Sequence, residues 1–342
     1  MRAQSFLKAM LPAVVHRTGA ARALARRYRG RGIIFMLHSV VDDAGPHPDH
    51  SLRCPVATLT RTLRWLRDQD VDVVTLDEAL ARLEAPTARP FAAFTFDDGY
   101  ADTLTHALPV MERFDAPFTV YVTTGMITRE LDAWWLGLAA LIGIRDRVEV
   151  PEIGRFDCAD RAAKKRAFVT VESLIHQDFA KLAQVQAAIE ASDIDCRALV
   201  NREALTADGL RQLARHPLVS IGAHATSHIN LARASAETVR HEMAANRAFL
   251  EGILERPVMH FAYPFGHAGA CTSREAAIAR AVGFRTAVTT RRGTIFPAHL
   301  EHLHALPREP LSGDDTASSL RCKIDGVYRA FHSRLGDPVA HM

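Results

Sequence analysis

Two rhythms of apolar and polar positions alternate along most of this chain. From Gly32 onward, short and nearly continuous apolar runs are separated by longer segments in which apolar residues recur every three or four positions. The first kind fits strands covered on both faces, the second amphipathic helices. IIFMLHSV from Ile33, VDVVTL from Val71, FAAFTFDDG from Phe91, FTVYVTT from Phe118, VSIGAHA from Val219, VMHFAYPFG from Val258 and FRTAVTT from Phe284 read as strands. Pro55 to Gln69 reads as a helix with Leu59, Leu63 and Leu66 on one stripe, and Asp102 to Phe114 as another. LDEALARLEA, TADGLRQLARH, SAETVRHEMAANRAFLEGIL and SREAAIARAVG add further helices between the strands. About seven strands alternating with helices predict a barrel-like or open parallel α/β fold.

The rhythm lapses once. Between residues 126 and 205 the sequence becomes mostly helical and charged, then the strands resume, which predicts a helical insertion in one loop and not a separate domain. Residues 1–31 form a basic segment expected to be helical, residues 32–312 the main domain, and residues 313–342 a C-terminal helix.

Composition narrows the classes. With 342 residues, 48% hydrophobic and 24% charged, the chain has the balance of an ordinary globular protein, which excludes disordered and low-complexity classes. A formal net charge of +3 is too small a surplus of base to make nucleic acid the expected partner. Cys54, Cys158, Cys196, Cys271 and Cys322 are far apart, odd in number and without a C-x-x-C, the usage of a reduced, cytoplasmic protein. The apolar patch from Ala9 to Val15 is interrupted by Pro12 and followed by basic residues, too short for a secretory signal or a membrane span. An Arg-rich helix there either packs as a solvated helix on the domain or makes peripheral contact with an anionic membrane.

The chemically distinctive residues fall at strand ends, where a β/α barrel builds its site. Asp97 and Asp98 precede the turn residue Gly99, and the pair reads either as a turn or helix cap or as two carboxylates facing different ligands. His224 and His228, at i and i+4 after the strand VSIGA, are either a coincidence among 17 histidines or, if the segment turns helically, two imidazoles on one metal. Two His and one Asp make a triad that leaves room for water and substrate. Tyr263-Pro264-Phe265-Gly266 is either a plain strand-ending turn or one whose N–H groups face a developing oxyanion.

T-F-D-D-G-Y, H-A-T-S-H and F-A-Y-P-F-G, in this order between about Gly32 and Arg308, resemble the motifs of the polysaccharide deacetylase family, the NodB homology domain or carbohydrate esterase family 4. The resemblance implies a distorted (β/α)7-type barrel. It further implies Asp97 as general base for the attacking water, Asp98, His224 and His228 as ligands of a divalent metal, usually zinc with cobalt or nickel as alternatives, and the Phe265 N–H as oxyanion donor. Members supply the acid from a late L-x-H, here Leu300-Glu301-His302, or in a permuted arrangement from an early strand of the form L-H, here Leu37-His38. The expectation placed on His38 competes with a backbone-bonded histidine, and the late histidines are expected in an ordinary last strand.

Two further departures stand out. Ala262 stands where many family members carry an arginine that orients the base, so either another residue supports Asp97, with Arg308 as a candidate, or the base is tuned differently. The second is the long insertion, expected to lie over the rim, where Trp134 and Trp135 are either a sugar-stacking platform or core of the inserted helices; Tyr100 and Tyr263 are further candidate substrate contacts. The activity implied is hydrolytic removal of acetyl groups from an N-acetylglucosamine-containing glycan or glycolipid-linked sugar, located in the cytoplasm or at a membrane surface. Two other activities stay open: hydrolysis of a non-sugar amide or cyclic imide, and non-catalytic glycan binding.

Overall fold

The computed structural model describes residues 20–42, 48, 52–85 and 89–342. The segment before residue 20, which carries most of the expected basic N-terminal helix, lies outside the described residues, and the helix Ala20–Tyr28 is its described end. Twelve strands follow in chain order among the described residues: β1 (Gly32–Leu37), β2 (Ser39–Val41), β3 (Arg53–Pro55), β4 (Asp72–Val73), β5 (Phe91–Phe96), β6 (Phe118–Val122), β7 (Arg147–Val150), β8 (Gly154–Asp157), β9 (Val219–Ala223), β10 (His260–Ala262), β11 (Thr286–Val288) and β12 (Glu309–Pro310). Eight of them form one parallel sheet in the order β11-β10-β9-β6-β5-β1-β12, with β4 beside the start of β5.

The sheet curls until its edges meet across residues 306–310. The Leu306 N–H donates to Ala287 and the Thr289 N–H to Leu306, tying this segment to β11, while Glu309 and Pro310 pair with Phe35 and Met36 of β1. Strand residues therefore alternate between two apolar layers. Ile33, Phe35, Leu37, Phe94, Phe96 and Val120 pack outward under the helices, including Leu59 and Leu63 of the helix Val56–Asp68 and Met243 and Leu250 of the helix Ala236–Leu254. Ile34, Ala93, Tyr121, Ala262 and Val288 face inward, joined by Leu76, Ala79, Leu80 and Leu83 of the helix Leu76–Glu84. The result is a curled parallel half-barrel of the (β/α) type.

Several elements differ from expectation for identifiable reasons. VDVVTL pairs only at Asp72 and Val73, because Thr75 caps the next helix by accepting from the Glu78 N–H. The helix expected from Asp102 opens as a π-helical turn, Thr103–Ala107, before the α-helix Leu108–Arg113. Pro109 lacks the N–H that would bond the Thr105 carbonyl, and the Leu108 N–H reaches back to Thr103 instead. The insertion is not wholly helical, since β7 and β8 form an antiparallel hairpin in it. Its helices close over a separate core that includes Trp134, Trp135, Phe168, Val171 and Val185. The stretch around His302 and His304 forms two 3₁₀ turns, not a strand.

The C-terminal helix is two, Ala317–Ile324 and Val327–His332, broken at Gly326 (φ 68°). A Cβ there would lie 2.0 Å from the Tyr28 carbonyl, so glycine is required where the N-terminal helix crosses.

Candidate active site

Inward parity carries Thr95 and Asp97 to the lumen side of β5, and the chain then turns at Asp98 (φ 74°) and Gly99 (φ 92°). The reversal sends Asp98 away from its neighbour. Asp97 meets Arg308, fully buried in the closing segment, whose Nη1 and Nη2 each lie 2.7 Å from one carboxylate oxygen. Arg308 also donates from Nη1 to Thr95 Oγ1 and from Nε to the Thr289 carbonyl, and its guanidinium lies over the Tyr121 ring. Every edge of this cation is used. Burial alone would push the Asp97 carboxyl up, but Arg308, with His224 and His38 nearby, holds the group below its ordinary range. Ala262 contributes only a methyl group to the same inward-facing layer. The guanidinium that engages Asp97 therefore comes from the closing segment.

Asp98 faces His224 and His228. Its Oδ1 lies 3.3 Å from His224 Nε2 and 3.4 Å from His228 Nε2, yet it has no hydrogen-bond partner although buried. These contacts are close enough for electrostatic attraction but lack hydrogen-bond alignment, so the oxygen is coordinatively unsatisfied. Burial pushes the Asp98 carboxyl up and the two imidazoles bring it well below its ordinary range. His224 is pushed down by burial and raised on balance by Asp98, whereas burial dominates at His228 and lowers it.

The two histidines converge by a different route from the expected helical turn. After β9 the chain runs as an irregular loop with Ala225 (φ 61°) and His228 (φ 49°) in left-handed conformations, each costing on the order of 1 kcal/mol. The helix Ala236–Leu254 pins that loop through two buried polar residues one turn apart. Glu242 accepts from the Thr226 N–H, the Ser227 N–H and Ser227 Oγ. Asn246 accepts from the His224 N–H at 2.8 Å and donates to the Val122 carbonyl and Thr124 Oγ1. His224 Nδ1 in turn bonds the Ala262 carbonyl at 2.7 Å, which leaves Nε2 facing Asp98. Glu242 and Asn246 were not singled out from sequence; their i, i+4 spacing on a helix otherwise packed against the barrel is the only signal.

One ligand atom from each of Asp98, His224 and His228 lies within 4.8 Å of the others, the only such cluster of three among the described residues. The orphaned Asp98 Oδ1 between two imidazole edges fits a cation, and the donor set of two nitrogens and one oxygen suits a borderline divalent ion.

His38 follows β1 with its Nε2 4.0 Å from Asp97 Oδ2, the oxygen that also accepts from Arg308 Nη2. The next residue, Ser39, bonds Asp102, whose buried carboxyl is pushed up to about 6. His302 is elsewhere: it is exposed and stacks on His341. His304 bonds the Phe284 carbonyl. Phe265 sits at the turn after β10 with φ 61°, its ring against that of His228 at 4.9 Å between centroids.

The aromatic candidates divide. Trp134 and Trp135 belong to the core of the insertion, each 5% exposed, and also form part of the wall of a cavity of about 540 Å³ beside His228 and Phe265. Trp135 lies 4.8 Å from the His228 ring and donates from Nε1 to the Tyr100 hydroxyl at 2.8 Å, so Tyr100 braces the wall from behind. Tyr263 is not a substrate contact: it is fully buried in the outer layer, and its hydroxyl donates to the His304 carbonyl. Its place in the motif puts it on the face opposite the lumen.

Residues 84–287, more than half of the chain, match the family described as polysaccharide deacetylase, and the chain belongs to that family. Its activity is that of a hydrolase of linear carbon–nitrogen amide bonds, and its substrate class N-acetylated carbohydrate. The fold is similar to that of Streptococcus pyogenes deacetylase PplD in complex with acetate (17% identity, TM-score 0.57, covering 85% of this chain and 97% of that one). IcaB from Ammonifex degensii is alike to the same degree (16% identity, TM-score 0.57, 87% and 98% covered). A polysaccharide deacetylase from Bacillus cereus follows at 15% identity and TM-score 0.55, with 86% and 68% covered. No curated protein sequence matches the chain.

Proposed function

We propose that this protein is a divalent-metal-dependent deacetylase of N-acetylglucosamine-containing oligo- or polysaccharides, free or lipid-linked, with Asp97 as base and His38 as acid. The observation that carries the reading is the pair of adjacent, oppositely aimed carboxylates: Asp97 saturated by Arg308, and Asp98 open between two imidazoles. A divalent ion held by Asp98, His224 and His228, zinc being the best match to the donors, supplies Lewis acidity toward the amide carbonyl and the attacking water.

The chain's own groups do the rest. Asp97, fixed by both guanidinium nitrogens, accepts the proton of the attacking water at a carboxylate oxygen. The Phe265 N–H, aimed by the turn after β10, stabilises the oxyanion as the carbonyl carbon becomes tetrahedral. His38, whose Nε2 lies 4.0 Å from Asp97 Oδ2, gives a proton to the departing amine, so the C–N bond breaks to acetate and a free amino sugar. The cavity beside His228, walled by Trp134, Trp135, Phe179 and Phe265, offers flat apolar faces for sugar rings.

An acetate-release screen over N-acetylated glycans, run with chelated enzyme and with enzyme reloaded with zinc, cobalt or nickel, tests the proposal. Release restored by metal on at least one acetylated sugar supports it. Turnover of only a non-sugar amide or cyclic imide, or glycan binding without acetate release under any metal, overturns it.

A further inference from the structure

The charge of this chain is lopsided. Its first 31 residues hold Arg2, Lys8, Arg17, Arg22, Arg26, Arg27, Arg29 and Arg31 and no acid, so eight of the 42 basic residues and none of the 39 acidic ones lie there, and the remainder carries a net −5 (34 minus 39). The described part of this segment, the helix Ala20–Tyr28, buries Ala21 and Tyr28 against the C-terminal helices, where Ala21 meets Cys322 and Val327. The opposite face presents Arg22, Arg26 and Arg27 to solvent, and none of these forms an ion pair with a carboxylate among the described residues.

A second observation lies next to the first. Of the five large hydrophobic side chains that the described residues expose, two fall within five positions of one another, Phe331 (45% exposed) and Leu335 (56%). Arg27 Nη2 and the Tyr28 hydroxyl both donate to the Gly336 carbonyl, which fastens Leu335 beside the arginine helix. Exposed Arg334 adds another cation, and Asp337 is the one exposed acid in this stretch. Arginines with no carboxylate partner among the described residues, bordering exposed apolar side chains, match an anionic lipid surface, whose headgroups attract the charge while its acyl boundary takes up the apolar groups. Nucleic acid offers the phosphates but no apolar layer for Phe331 and Leu335.

We propose that the face formed by Arg22, Arg26, Arg27, Phe331, Arg334 and Leu335 docks the protein on an anionic lipid bilayer. Each arginine brought to such a surface strengthens partitioning about fivefold. The face joins the helix Ala20–Tyr28 to residues 331–335 and contains none of the candidate site residues.

The test is co-sedimentation of the full chain with phosphatidylcholine vesicles, with and without about one-third phosphatidylserine. Binding should require phosphatidylserine and weaken steeply with salt. The variant Arg22→Gln/Arg26→Gln/Arg27→Gln should bind on the order of 100-fold more weakly. Phe331→Ser/Leu335→Ser should lose about tenfold with the salt dependence unchanged. An unchanged thermal midpoint shows that each variant is folded. Absence of binding, equal binding to uncharged vesicles, or full binding by the arginine variant overturns the proposal. So does preferential binding to duplex DNA that is indifferent to Phe331 and Leu335.

Discussion

Asp97 and Asp98 are neighbours in sequence, equally buried at 2% exposure, and opposite in what surrounds them. Asp97 has its counter-charge built in: a fully buried guanidinium engages both oxygens, and that guanidinium is itself held by Thr95 and the Thr289 carbonyl. Asp98 has only two imidazole edges at 3.3 and 3.4 Å and an oxygen without a hydrogen bond. A buried carboxylate costs several kcal/mol unless paired. The chain meets that cost internally for one acid and leaves the other to a ligand. Asp97 is thus positioned whether or not a metal is bound, while the candidate metal site at Asp98, His224 and His228 would be completed only by an ion.

Substitutions can break this contrast in graded ways. Asp97→Asn should lower acetate release by on the order of 10³–10⁴-fold while metal analysis shows the ion retained, because the asparagine cannot take a proton and does not ligate. Loss of metal together with activity would merge the two halves into one site. His38→Ala should cost about 10²–10³-fold, measured on a substrate with a poor amine leaving group, with His302→Ala as an unchanged control. Equal losses in the two variants would reject the geometric assignment of the acid.

Arg308→Lys keeps a charge but loses the fork, and should lower activity about 10²-fold and stability by about 3 kcal/mol in chemical denaturation. Arg308 lowers the Asp97 carboxyl, so weakening that contact raises it, and the acid limb of the kcat/KM profile should move to higher pH. An unmoved limb would mean that Arg308 is purely structural. Glu242→Gln touches neither carboxylate, yet it loosens the loop between the two imidazoles. Metal affinity should fall about 10–100-fold by competition with a chelator, with the apparent acid limb unchanged. Smallest of all, Tyr263→Phe should cost about 1 kcal/mol in thermal unfolding and leave kcat/KM intact, consistent with its core position.

What could be read from sequence was what local pattern encodes. The strands of the barrel are short apolar runs, and Asp97, Asp98, His224 and His228 mark their ends, so their approximate places followed. Arg308 could be named only as a candidate for the role the family arginine leaves open at Ala262; nothing in the run LPREPL ties it to Asp97, because the two are 211 residues apart. Glu242 and Asn246 look like ordinary polar positions of an amphipathic helix until burial reveals the loop they hold. The hairpin β7–β8 was hidden because Arg-Val-Glu-Val is four residues long and surrounded by helical sequence. The helical turn expected for His224 to His228 failed because tertiary hydrogen bonds, not local propensity, set two left-handed residues in that loop.

The insertion is stitched to the site at both of its ends. Where it begins, the Gly125 N–H donates to Thr226 at 2.9 Å, inside the histidine loop. Where it finishes, the Ala101 N–H donates to Glu203 at 2.8 Å and the Leu205 N–H to Gly99 at 3.0 Å, just after the paired aspartates. Anyone wishing to transplant this cap onto another barrel, or to shorten it, has two seams to respect: cutting at the ends of the helical sequence severs the fastenings of both ligand-bearing loops at once. A usable graft would carry residues 99–101 and 224–228 along with the cap, and would move as a unit the wall of the cavity and the His224–His228 loop.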